Sequence, residues 1–246
     1  MQGLPNTKSK ISNSKCQIQY VPAFRFSKRG RNHFLFMKKI VINCLILFGI
    51  ICLKSSYGQS LSAEVAGMES AWSLSGSFNT KLSKTSKLSF SNISRISSDY
   101  LGIEDPQMLI MTNLGYAVAP KLKSTIGGIY TDAGGLKPSI GLQYMVAKKN
   151  VLWMLFPNLD IGKQPDLMTI SMVQYLRTIS EKMKFVARMQ SLCILGSTGH
   201  LFSTLRFRSG FIRGKYQFGV ASDFDFYGSD FVMAKNFGLF LQYQVF

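Results

Sequence analysis

His200 follows Ser197-Thr198-Gly199 and is one of two histidines in the chain. An imidazole beside a hydroxyl is the pairing of a general base with a nucleophile, and it needs a third group to orient the ring. No G-x-S-x-G accompanies this pair, so the plainer expectation is a polar side chain in a hairpin loop. Two histidines do not furnish a histidine-rich metal site. Gly127-Gly128 and Gly134-Gly135 precede no helical pattern and read as strand and turn glycines, not as a phosphate cradle. Beyond residue 58 Cys193 is the single cysteine, so no intrachain disulfide is expected there, and no activating group adjoins it in sequence.

The basic residues offer a second chemistry. Arg206, Arg208, Arg213 and Lys215 flank a turn expected at Ser209-Gly210, and Lys121 and Lys123 form a further pair. By strand alternation Arg206 and Arg208 share a face, and Arg213 and Lys215 share theirs with Asp223 and Asp225. If both faces line an enclosed space, the cations could attract anions. They could instead pair with Asp223, Asp225 and other acids, filling the space with a polar network. Contact with lipid phosphates at a rim is the third option.

These residues need elements to carry them. The chain has 29 Lys and Arg against 12 Asp and Glu, a net charge of +17, with 46% apolar and 13% aromatic residues. Ten of the basic residues and no acid fall within 1–58, so much of the excess sits in a leader and does not argue for nucleic-acid binding. Within it, Met37-Lys38-Lys39 precedes the apolar stretch Ile40–Leu53 and the small residues Ser56 and Gly58. That is the pattern of a secretory signal at 37–58, with cleavage expected after Gly58. The apolar stretch is shorter than the roughly 18–20 residues of a spanning helix. Residues 1–36 precede the basic start of this signal and are expected to come from an upstream start; an organellar transit peptide is the competing account.

From Gln59 onward the chain reads as strands. In 137–148 Ile140, Leu142, Tyr144 and Val146 share one face, while Ser139, Gly141 and Gln143 share the other with Met145 as the exception. In 71–81 Trp72, Leu74, Gly76 and Phe78 alternate with serines. The run 211–226 alternates so regularly that a single strand on the order of 50 Å is expected there. Further candidates are 84–96, 107–119, 121–131, 149–158, 165–178, 183–194, 200–209 and 235–246. Short turn signals at 132–135, 148–150, 180–182 and 228–230 require antiparallel hairpins. The fold class expected is all-β: an antiparallel up-and-down transmembrane β-barrel of 10 or 12 strands, since barrels of this kind have even strand numbers. A soluble barrel or sandwich, with the apolar face inward, is the alternative.

The leader, the repeated hairpins and the final strand Phe237–Phe246 together resemble small outer-membrane β-barrel proteins of Gram-negative bacteria over about 59–246. Phe246 matches the terminal aromatic of that family, although Phe237, Leu239, Leu241, Tyr243 and Val245 alternate one residue out of step with it. The resemblance implies export to the outer membrane, contact with lipid and lipopolysaccharide, and recognition of the last strand by the barrel-assembly machinery. It implies no cofactor. The function expected is structural or small-solute passage, not catalysis; a lipid-modifying enzyme using His200 is the alternative.

Overall fold

The computed structural model describes residues 60–245 apart from 101–105, 133 and 163. The signal, its cleavage point and Phe246 lie outside the described residues. Twelve antiparallel strands form a closed up-and-down barrel in which each strand pairs with its sequence neighbours and β1 pairs with β12. The strands are β1 (Ser60–Met68), β2 (Ala71–Lys81), β3 (Leu88–Asp99), β4 (Gln107–Ala119), β5 (Leu122–Thr131) and β6 (Gly135–Ala147). They continue with β7 (Val151–Asp160), β8 (Leu167–Ser180), β9 (Met183–Gly196), β10 (Gly199–Arg213), β11 (Tyr216–Tyr227) and β12 (Val232–Gln244). Closure removes every sheet edge, which is the condition for a sheet to live in lipid.

Two details differ from the sequence expectation. Ser60–Met68 is a strand, which makes the number even; its small residues and inward Glu64 hide the alternation. The run 211–226 is not one strand. It is broken at Gly214-Lys215, where Gly214 has φ +60°, a conformation that favours glycine. Arg213 pairs with Tyr216 across this turn, so the inward set changes from even numbers in β10 to odd numbers in β11.

The outer wall is organised by height. Val65, Leu74, Ile126, Ile140, Val220 and Leu239 are exposed along its middle. Toward the end where β1 begins and β12 finishes, the termini-bearing end, Tyr116, Tyr144, Trp153, Tyr175, Tyr216 and Tyr243 take outward positions. Trp72, Tyr130, Phe224 and Phe237 do so toward the other end, with Phe224 and Phe237 packed edge to face. Along β11 the two aromatic levels lie about eight residues apart, which at ~3.3 Å per residue and ~40° tilt is about 20 Å. Among the described strand residues, alternation puts only Arg177, Arg213 and Lys235 of the charged side chains on the outward face, all close to strand ends.

Inside, the lumen is divided. Between β3 and β9 it is packed by an apolar cluster built on Met111, Ile129, Met154, Phe156, Met168 and Ile170, with Met145 among the side chains against it. This half of the lumen is therefore apolar, where a membrane barrel ordinarily turns polar residues inward. Methionine's unbranched thioether fills irregular interior space well, which suits a space bounded by strands of one curved sheet. The other half, lined by β1–β3 and β9–β12, holds a cluster of charges at mid-height.

Candidate functional site

Arg206 and Arg208 stand two positions apart in the middle of β10, and alternation points both inward. Arg188 in β9 lies directly opposite Arg208 in the register, and Arg95 in β3 enters from across the barrel. Four guanidinium groups thus converge at mid-height. Two carboxylates hold them. Glu64 of β1 accepts from Arg208 Nε at 2.9 Å and Arg206 Nη2 at 3.3 Å through Oε1, and from Arg188 through Oε2. Asp223 of β11 accepts from Arg208 Nη1 at 2.6 Å through Oδ1, and its Oδ2 faces Arg206 Nε and Arg95 Nη2, each at 3.3 Å.

The network is a set of chords across the lumen. Glu64 and Arg188 are separated around the wall by β12, β11 and β10, and Arg95 and Asp223 by β12, β1 and β2. Gln242 of β12 accepts from Arg188 Nη1 at 3.0 Å, and the Arg208 guanidinium lies 5.9 Å from the centroid of the Phe240 ring. Arg208 is 2% exposed, Asp223 4% and Glu64 6%. Ions this deeply buried are tolerable only when paired and hydrogen-bonded. Here four cations share two bridging carboxylates, with Asp225 one inward position further along β11. Among the described residues, Arg95 Nε, Arg206 Nε and Arg208 Nη2 have no hydrogen-bond acceptor, Arg206 Nε keeping only its ionic contact with Asp223.

Of the residues singled out by sequence, Arg206, Arg208 and Asp223 meet in this network. Asp225 is inward beside it, and Lys123 is inward near the end carrying the termini. Lys121 and Lys215 occupy two-residue turns at that end. Arg213 and Lys215 are exposed and do not reach the lumen; the turn at Gly214-Lys215 puts Arg213 on the outward face beside Tyr216. Lys215 Nζ donates to the Val245 carbonyl at 2.9 Å. Glu64, Arg95 and Arg188 were not among the sequence candidates. A single charge within the apolar or small-residue interior of a strand is the signal that marks each of them. A separate cluster joins Lys137 Nζ to Asp160 at 2.9 Å and Asp166 at 2.7 Å, tying β6 to the β7–β8 connection.

His200 meets Ser203, not Ser197. Its Nδ1 lies 2.7 Å from the Gly228 carbonyl oxygen, which only accepts, so Nδ1 carries the proton and Nε2 receives the Ser203 hydroxyl at 2.6 Å. The ring also stacks on Phe231 at 4.2 Å. The orienting group is a backbone carbonyl where a hydrolase triad has a carboxylate. The contacts link β10 to the β11–β12 turn, a structural tie. Replacing His200 with alanine is expected to lower stability by about 1–2 kcal/mol, two ordinary hydrogen bonds, read from urea unfolding of the micelle-folded barrel.

Neither the family models nor the curated proteins give a match to this chain. Among solved structures, the NanC porin is similar with a TM-score of 0.47 at 8% identity, over 76% of this chain and 99% of the porin. The KdgM porin has a TM-score of 0.44 at 7% identity, over 75% and 98% of the two chains. LpxR from Salmonella typhimurium has a TM-score of 0.39 at 11% identity, over 75% and 99%. No residue role passes from any of them to this chain.

Proposed function

We propose that the chain is an outer-membrane β-barrel whose lumen is closed by side chains and whose role is structural, not catalytic. The observation that carries this reading is the pairing of an aliphatic outer belt between two aromatic levels with an ion-pair network that spans the interior. An outer wall that is uncharged between the strand ends suits a hydrocarbon surround, and the network occupies the route that a solute would take. Contact with lipid and lipopolysaccharide, and recognition of the last strand by the assembly machinery, belong to the same proposal.

A second reading is favoured by one feature of the network. The four arginines outnumber Glu64, Asp223 and Asp225, and three guanidinium nitrogens lack hydrogen-bond acceptors among the described residues. A rearrangement that parts the chords would leave a cationic constriction suited to small anions. Planar-bilayer recording separates the two readings. The wild-type barrel is expected to show no steady conductance above bare lipid. Replacing Glu64, Arg188, Arg206 and Asp223 together by serine, which removes two charges of each sign, is expected to produce discrete openings. A steady conductance in the unmodified protein overturns the closed-lumen reading and supports passage.

A further inference from the structure

The two ends of the barrel differ in charge. At the end carrying both termini, the stretches 81–87, 121–123, 148–149, 177–184 and 213–215 contain no acid except Glu181. These stretches span the five turns at that end, and each turn presents exposed cations: Lys84, Lys121, Lys148 with Lys149, Lys182, and Lys215. Among the described residues the opposite end carries Glu69, Asp99, Asp132, Asp160, Asp166 and Asp230, against Lys137 and Lys235. Lys137 is already engaged by Asp160 and Asp166.

The cations are spread around the whole circumference, directly outside the aromatic level of that end. Lys87 Nζ sits 5.9 Å from the Tyr116 ring centroid, which places an ammonium group beside that level. A globular partner docks on one side of a barrel, whereas a lipid leaflet surrounds it. At one point the ring adjoins a groove. Val146, Lys148, Val151, Trp153 and Val173 line an open concavity on the outer wall, with Tyr144 packed edge to face on Trp153 at 5.5 Å. An apolar floor with one ammonium at its water-facing edge matches the upper acyl chain and phosphate of a phospholipid.

We infer that the basic ring at the termini-bearing end binds anionic phospholipid headgroups, with one lipid seated in the groove between Lys148 and Trp153. This rests on the membrane-spanning reading above. A basic residue near an anionic bilayer surface contributes about 1 kcal/mol, which corresponds to about a fivefold preference for an anionic over a zwitterionic headgroup. The attraction is screened once the Debye length falls to roughly 3 Å near 1 M salt.

The chain's two tryptophans provide the test, because Trp153 lies in the groove and Trp72 near the opposite end. The barrel, refolded into phosphatidylcholine vesicles containing a minority of phosphatidylglycerol, is probed with one lipid or the other brominated. In Trp72→Phe protein, brominated phosphatidylglycerol is expected to quench Trp153 as though about fivefold enriched around it. In Trp153→Phe protein, Trp72 should report the bulk composition. The enrichment at Trp153 should disappear in 1 M salt and in the added double substitution Lys148→Gln, Lys149→Gln. Unchanged heat-modifiable migration and unchanged Trp72 quenching show that this last variant is still folded and inserted. Quenching of both tryptophans without headgroup preference overturns the inference while leaving the barrel in the bilayer. Loss of the preference on adding soluble polyphosphate at constant ionic strength assigns the ring to a soluble polyanion and overturns it as well. Absence of quenching at either tryptophan overturns the membrane reading itself.

Discussion

Replacing Glu64 with alanine is expected to cost about 3–5 kcal/mol of barrel stability, the range for removing one partner of a buried ion pair. Glu64 binds Arg188, Arg206 and Arg208 from across the lumen, so its loss leaves Arg206 and Arg208 sharing Asp223 with Arg95, and Arg188 with the Gln242 amide oxygen in place of a carboxylate. The substitution removes the only carboxylate that β1 contributes, and with it the side-chain bridge from β1 to β9 and β10. Urea unfolding of the refolded barrel, followed by tryptophan fluorescence, measures the effect. Adding Arg188→Ala to Glu64→Ala should return part of the loss, because it removes one of the stranded charges; the double-mutant cycle isolates that coupling. A loss below about 1 kcal/mol for Glu64→Ala would mean that the network is solvated and not a closed plug.

Val220→Arg is expected to destabilise the membrane-inserted barrel by about 2–4 kcal/mol, the cost of an arginine on the lipid face near the bilayer midplane. Val220 is 59% exposed and pairs with Leu239, which is 67% exposed, in the middle of the outer belt. The same arginine placed at Tyr216, beside Arg213 and the basic rim, should cost only about 0–1 kcal/mol, as depth requires. A soluble barrel would not distinguish the two positions, because surface substitutions in water usually stay within about 0.5 kcal/mol. The difference between the variants therefore reports the membrane directly. Equal and negligible effects at both positions would favour the soluble β-protein.

Where one face was apolar and the other small or polar, the sequence was legible. In β6, Ile140, Leu142, Tyr144 and Val146 alternate with Ser139, Gly141 and Gln143, and the structure puts the first set outside. Met145, the exception in that alternation, is inward because it packs against the apolar cluster. In β8 the usual assignment reverses: Met168 and Ile170 are buried in the lumen, while Ser171 lies on the other face and shares a 2.7 Å hydrogen bond with Ser191 of β9. Polarity alone misplaces these residues, because a lumen filled by side chains buries methionine and isoleucine as well as lipid does. The two-residue turn at Gly214-Lys215 was missed for a related reason. Arg213, Lys215 and Gln217 continue an alternating polar pattern across it, although the pairing of Arg213 with Tyr216 reverses which parity faces inward.

By itself, the amino-acid sequence determined an antiparallel all-β chain with short hairpins, an apolar outward stripe and a pair of arginines two positions apart that had to share a face. Those properties are local, since alternation has period two and a turn is set by a few residues. The acids that meet the arginines are not local. Glu64 and Arg208 are separated by 144 positions, and Arg95 and Asp223 by 128. Which strands face each other across a barrel depends on strand number and on the stagger accumulated at every pairing, and both are complete only when β1 closes on β12. The division of the lumen into a methionine-rich half and an ionic half, and the collection of cations from five separate turns into one ring, were decided by that closure.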